Sequence, residues 1–256
     1  MVDRFARAAA WHKAAMADRT ASAQERVYEE DAANYDLLIS AEDADGELPR
    51  ALTGLLGERG AGFAGARVAD IGAGTARLTR VVAERAAHVD LVDRAGPMLE
   101  VGRGRLEKLG RTNFQVHQAD ARALPLASGA YDIAMAGWVF GHFRHWMPEG
   151  WKDEVSAALG EMRRILRPGG HLFVIETLGT GHETPRQHPA LDEYFAYLEQ
   201  VEGLTRTWIR TDYAFADPDT AAAITGRFFG EAFADKVRAE GWSRVPECTA
   251  IFHGTT

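Results

Sequence analysis

With 256 residues, of which 46% are hydrophobic and 26% charged, the chain has the composition of a soluble globular protein able to bury a substantial core in one domain. Its formal net charge of −8 argues against a nucleic-acid partner, because phosphate binding asks for a basic face. The single cysteine, Cys248, excludes an intrachain disulfide and a cysteine-built metal site. No apolar run has the length of a secretory signal or a membrane span, so a soluble, cytoplasmic protein without a membrane partner is expected. Scarce lysine beside abundant arginine and alanine suits a GC-rich bacterial genome.

Residues 1–64 read as helical without a core of comparable size, a cap on the domain formed by 65–256. From there strands and helices alternate. Strands are predicted at 66–71, 88–93, 114–118, 131–137 and 171–177, with helices at 75–87, 97–109 and 151–166 between them. The helix at 151–166 has the clearest period, placing Trp151, Val155, Ala158, Leu159, Met162, Ile165 and Leu166 on one face. Arg163, Arg164 and Arg167 fit the solvated end of that helix. This rhythm implies right-handed crossovers and a parallel sheet covered on both faces. Beyond 177 the pattern loosens into a polar loop, a helix at 190–202 and a sixth strand at 207–212. Asp217 and Pro218 then open a helix to about 240, with Ile224, Phe228, Phe233 and Val237 directed at the sheet, and 248–253 forms a last strand.

The most informative stretch is Val68-Ala69-Asp70-Ile71-Gly72-Ala73-Gly74-Thr75-Ala76-Arg77, a buried strand running into a glycine turn and a helix start. Such a turn brings backbone close to a ligand and aims free N–H groups at it. A dinucleotide fingerprint needs a small residue where Arg77 stands, which counts against a nicotinamide cofactor. The pattern present is acid-x-Gly-x-Gly-x-small: Asp70, Gly72, Gly74 and Ala76. In these residues the chain resembles the class I S-adenosylmethionine-dependent methyltransferases, most closely the group related to quinone biosynthesis, with Ala76 replacing their usual third glycine. The resemblance extends over 65–177. It implies a Rossmann-like, doubly wound α/β fold with a seven-stranded sheet, mostly parallel, whose last strand runs antiparallel between the fifth and sixth.

The resemblance also implies S-adenosylmethionine as cofactor and S-adenosylhomocysteine as product. Asp93, ending the second strand about 20 residues past the glycine turn, is placed to accept hydrogen bonds from a ribose diol. Asp120 and Ala121 lie in a loop resembling the family's third-strand loop, where the acid accepts from the adenine amino group. Met98 supplies apolar contact to the purine. Asp70 faces the ammonium of the methionine tail, Gly72 and Gly74 present backbone to tail and ribose, and Gly137 ends the fourth strand where backbone receives that ammonium. Tyr35, in the cap, is a further contact.

In open parallel sheets the site lies past the carboxyl ends of the strands. The segment after the fourth strand, with Trp138, Phe143 and Trp146, offers aromatic walls for a planar acceptor, and His142 or His145 a general base. His182 and Glu176 near the end of the fifth strand are the other titratable candidates. An acceptor-pocket insertion is expected around 179–205, with Tyr194 in its wall, and Arg210 beyond it either meeting an anionic substrate or pairing with Asp212. His142 and His145 lack a third ligand at a diagnostic spacing, so no metal is expected. The reading is a small-molecule methyltransferase, monomeric or homodimeric, acting by in-line displacement. The alternatives are a nucleic-acid or protein methyltransferase and a non-catalytic cofactor-binding subunit.

Overall fold

The computed structural model describes residues 32–57, 62–187 and 189–256. The sheet begins with β1 (Arg67–Ile71), β2 (His88–Asp93), β3 (Phe114–Gln118), β4 (Tyr131–Gly137) and β5 (Leu166–Thr180), all parallel. It is completed by β6 (Thr205–Arg210) and β9 (Glu247–Thr255), giving the order β3-β2-β1-β4-β5-β9-β6. β9 runs antiparallel to both β5 and β6. The strand order reverses between β1 and β4, which fixes the crevice at their carboxyl ends.

β1 and β4 read as apolar runs because they are buried on both faces. Successive side chains alternate between two cores. On one face Val174 and Phe252 pack with α6 (Trp151–Ile165) and α7 (Pro189–Gln200). On the other, Ile175 and Ile251 pack with α2 (Glu47–Leu55), α3 (Thr79–Val82) and α4 (Gly96–Lys108). In α6 the predicted face is the buried one from Trp151 to Ile165, while Leu166 already opens β5. Its arginines are tertiary staples, not merely a solvated end. Arg164 donates to the Leu124 and Leu126 carbonyls, Arg163 to Glu202, and Arg167 pairs with Asp132.

Three expectations change. The helix expected at 75–87 is the single turn of α3, because left-handed backbone at Gly74 and Ala76 delays its start. The helix expected from 218 to 240 is two, α8 (Pro218–Phe229) and α9 (Glu231–Glu240), broken at Gly230 with φ 88°. The Asp217 side chain does cap α8, accepting from the Thr220 amide at 2.7 Å. Ile224, Phe228, Phe233 and Val237 do not face the main sheet. They pack with Leu38 of α1 (Ala32–Ala41) and with the two-stranded pair β7 (Tyr213–Ala214) and β8 (Arg244–Val245), which lies just beyond the expected sixth strand. Of the expected cap, α1 and α2 are helical.

Inside the sheet, Asp90 on β2 accepts from His117 Nε2 and from the Tyr131 hydroxyl, each at 2.7 Å. Burial raises its pKa, but those bonds and the attraction of His88 and His117 outweigh it, holding the carboxyl below its ordinary range. A carboxyl depressed by folding stabilises the native state above about pH 4 and loses that contribution as pH falls through the folded value. Asp90→Asn is therefore expected to cost about 1.5–3 kcal/mol at neutral pH and to flatten the acid limb of stability. Urea unfolding from pH 3 to 7 checks this; superimposable pH profiles would remove Asp90 from the account.

Candidate functional site

The crevice at the β1/β4 switch is built around the glycine turn. The Gly72 and Ala73 amides donate to the Val92 carbonyl at 2.7 and 3.1 Å, tying the turn to the end of β2. Gly72 has φ 69°, and a Cβ there would stand 2.3 Å from Cγ2 of Val139. On the other side α4 comes so close at Gly102 that a Cβ would meet the Thr75 carbonyl carbon at 3.0 Å. The turn is thus clamped between the segment after β4 and α4. The buried Thr75 hydroxyl has no hydrogen-bond partner among the described residues.

Ala76, where the sequence departs from glycine, holds φ 66°. Left-handed backbone costs a non-glycine residue about 1–2 kcal/mol. A buried methyl returns about 0.8 kcal/mol, and glycine would lose roughly 0.5–1 kcal/mol more backbone entropy on folding. These terms nearly cancel, which is why alanine is tolerated here.

Four expected carboxyl or loop residues fall around this turn. Asp93 accepts from the Gly74 amide through Oδ2 and from the Ala95 amide through Oδ1, each at 2.8 Å. Burial raises its pKa against those two bonds. Asp70, fully buried, accepts from the Thr79 amide at 3.0 Å and the Thr79 hydroxyl at 2.6 Å, so it caps α3 from inside the sheet. Burial pushes its pKa up to about 7. Asp120 is gripped by Arg122 through Nε at 2.7 Å and Nη2 at 2.6 Å, and despite burial its carboxyl stays below the usual range. Arg122 also reaches Glu154 on α6, fixing the loop that carries Ala121. Met98 is buried on α4, its Cε within 3.5 Å of where a Gly74 Cβ would be. Tyr35 lies in α1, but its side chain is outside the described residues.

Beyond Gly137 the chain turns sharply. Trp138 holds φ 56°, an uncommon conformation for a bulky residue, and its amide donates to the Ile175 carbonyl at 2.7 Å. The Arg77 guanidinium lies over its ring and pairs with Glu42, just after α1. Then α5 (Gly141–Trp146) carries His142, Phe143, His145 and Trp146. The His142 ring stacks on Trp146 at 5.1 Å, Phe143 is buried, and His145 is exposed. Arg94, following Asp93, covers the Trp146 ring at 4.4 Å, so the aromatic segment after β4 is joined to the end of β2.

The structure places Glu176 and Tyr194 together, and in the core rather than in a pocket wall. Tyr194 is 0% exposed, and its hydroxyl donates to Glu176 Oε1 at 3.0 Å. The same oxygen accepts from the Gly141 amide at 3.1 Å, pinning the start of α5. Burial raises the Glu176 pKa to about 7. His182 sits apart, its Nε2 3.0 Å from Arg186, with its pKa lowered by burial and by Lys236 and Arg186. Arg210 forms a paired contact with Asp212, both bonds at 2.8 Å. Near the expected insertion a groove of about 540 Å³ is lined by Leu178, Arg186, Phe195, Arg206 and Trp208, among others, and includes no residue of the glycine turn. Sequence reasoning passed over Arg77 as a binding element and over Glu42 and Glu247. An acid opening an otherwise apolar last strand was the available signal for Glu247, but its neighbours come from the antiparallel return.

Residues 69–174 match the family described as a methyltransferase domain (Methyltransf_11). A demethylmenaquinone methyltransferase of Thermus thermophilus is 36% identical over 112 residues, 43% of this chain and 46% of that protein. The ubiquinone/menaquinone biosynthesis C-methyltransferase UbiE of Chromobacterium violaceum is 40% identical over 116 residues, 44% of this chain and 43% of that protein. The chain thus spans about half the length of the curated relatives it matches. Among solved structures, the YcgJ protein from Bacillus subtilis superposes with a TM-score of 0.53 at 17% identity, covering 81% of this chain and 98% of that one, a likeness of fold.

Two outcomes follow from this geometry. Ala76→Gly should change unfolding free energy by less than about 1 kcal/mol, as a urea titration will show; a larger change in either direction contradicts the balance above. Glu176→Ala strands the Gly141 amide and the Tyr194 hydroxyl, at about 1–3 kcal/mol each, and should alter the near-ultraviolet dichroism of the tryptophans around α5. A carboxyl raised by folding stabilises fully below its unfolded pKa, and that contribution is lost as pH rises through about 7. Glu176→Gln should therefore keep the fold while removing this loss between about pH 4.5 and 7; an unchanged slope would contradict it.

Proposed function

Because the chain carries a class I S-adenosylmethionine-dependent methyltransferase domain related to that of the quinone-biosynthesis enzymes, we propose that it transfers the methyl group of S-adenosylmethionine to a small organic acceptor. The observation that carries the reading is the Asp93 carboxylate held on the Gly74 amide, which fixes an anionic acceptor at the mouth of the glycine turn. The residues suit the cofactor. Each Asp93 oxygen uses one lone pair on backbone and retains capacity for a ribose hydroxyl. The Thr75 hydroxyl, without a partner among the described residues, is a donor and acceptor beside the same turn.

In this reading Gly72, Gly74 and Gly137 offer backbone to the amino-acid tail and ribose. Asp70 acts by fixing Thr79 and the end of the turn. Met98, Asp120 and Ala121 form the purine side, with Asp120 held in place by Arg122. Bound there, the cofactor supplies a methyl carbon already activated by its sulfonium. The protein's work is then alignment and exclusion of water, which Val139, Trp138 and Phe143 perform by covering the turn and the carboxyl end of β4. His142, set by its stack on Trp146, is the group we assign to accept a proton where the acceptor must lose one.

The test is a calorimetric titration with S-adenosylmethionine, S-adenosylhomocysteine and NAD in parallel. Saturable binding of the two sulfur ligands with NAD silent is expected, and no binding of either would overturn the reading. Asp93→Ala should weaken S-adenosylhomocysteine at least tenfold, about 1.4 kcal/mol; wild-type affinity in that variant would take Asp93 out of the site.

A further inference from the structure

The return of β9 brings a second acidic group to the carboxyl edge of the sheet. Glu247, its first residue, is paired in register with Thr180 at the end of β5. It is 1% exposed. Oε1 accepts from the Thr177 hydroxyl, while Oε2 is buried and takes no hydrogen bond among the described residues. A polar atom left this way costs about 1–3 kcal/mol, more if it is charged, and buried polar groups in folded proteins are otherwise satisfied.

The groups facing Glu247 come from five segments. Thr177 and Thr180 approach from β5. Arg77 reaches in from the glycine turn, stacked on Trp138 and paired with Glu42 of the segment after α1. Asp212, just past β6, accepts the Glu247 amide at 3.1 Å. The Thr211 hydroxyl meets Thr249 at 2.5 Å and Glu42 at 3.4 Å. The neighbouring Cys248 turns its thiol to the other face of the sheet, toward the His182 carbonyl. Arg210 and Arg244 are both held by Asp212, and Arg77 touches Glu42. Among the described residues no cation makes an ion pair with Glu247. Burial pushes its pKa up to about 7, opposed by the threonine hydroxyls and Arg77 and reinforced by Asp212.

Resting on the methyltransferase reading, we propose that Glu247, with Thr177 and Arg77, forms the subsite that receives a hydrogen-bond-donating group of the methyl acceptor, a hydroxyl or an ammonium. Position supports this. The cluster sits at the strand ends where ligands of open parallel sheets bind. It also shares Arg77 with the turn that faces the cofactor, so the acceptor's polar group and the cofactor are held by adjacent residues of one loop. Arg77 is the partly exposed member of this group. The donor supplies the bond that Oε2 lacks.

The test uses the full chain saturated with S-adenosylhomocysteine and two probes, methylammonium and phenol, titrated by calorimetry from pH 6 to pH 8. The two arms separate a cationic from a neutral donor. Binding of at least one is expected. Its affinity should rise about tenfold over this range, as the ionised fraction of a group with a pKa near 7 grows. Glu247→Gln should weaken that probe at least tenfold while keeping its affinity for S-adenosylhomocysteine. Absence of binding by both probes, or equal binding by Glu247→Gln, overturns the subsite. The wild-type pH dependence decides the matter even where the variant fails to fold, and a flat profile counts against it. If S-adenosylhomocysteine itself does not bind, the methyltransferase reading fails, and the probes titrated alone still report on Glu247.

Discussion

Everything at the carboxyl edge depends on one close approach: backbone at Gly72 packed beneath Val139, with no room for a Cβ between them. That contact brings the ends of β1 and β4 together. The Gly72 and Ala73 amides on the Val92 carbonyl bring in β2, and α4 closes the far side at Gly102. Three strand ends and a helix therefore converge on a turn whose backbone must be partly left-handed. Asp93 is the fastener, because its carboxylate holds Gly74 and Ala95 at once. The same side chain that would meet a ligand also builds the turn that presents it.

Acidic groups around this edge divide by environment. Asp120 is met by a guanidinium and Asp90, deeper in the sheet, by an imidazole and a phenol, and both are held below the ordinary carboxyl range. Asp70, Glu176 and Glu247 are buried against hydroxyls and amides, and burial raises all three to about 7. Hydrogen bonds from neutral donors offset desolvation only in part, whereas a bidentate guanidinium reverses it. Asp70 and Glu176 have structural partners that account for their placement, one capping α3 and the other pinning α5 to α7. Glu247 keeps one oxygen without a partner among the described residues, which sets it apart from the other two.

The aromatic segment after β4 joins the two halves of the site. Trp138 is held in a strained conformation by the Ile175 carbonyl and covered by Arg77, while Trp146 is covered by Arg94. Arg77 follows the glycine turn and Arg94 follows Asp93, so each aromatic wall is tied to a loop on the opposite side of the crevice.

The sequence by itself determined the alternating core. Strands buried on both faces are continuous apolar runs, an edge strand such as β3 alternates apolar and polar, and helices such as α6 repeat at 3.6 residues, so β2, β3 and β4 were legible residue for residue. Asp93 and the glycine turn were legible too, because a strand end and a tight turn are local features. What the tertiary structure decided is everything that depends on which strand lies beside which. Tyr194 read as a pocket residue, yet it meets Glu176 inside the core because α7 packs against β5 through one face of the sheet. The break at Gly230 and the separate cluster around β7 and β8 were hidden, since amphipathic periodicity does not name the surface it packs on. Glu247 meets Thr177 only because β9 returns antiparallel, joining residues 70 positions apart. Local pattern is written in neighbouring residues; pairing register across the sheet is not.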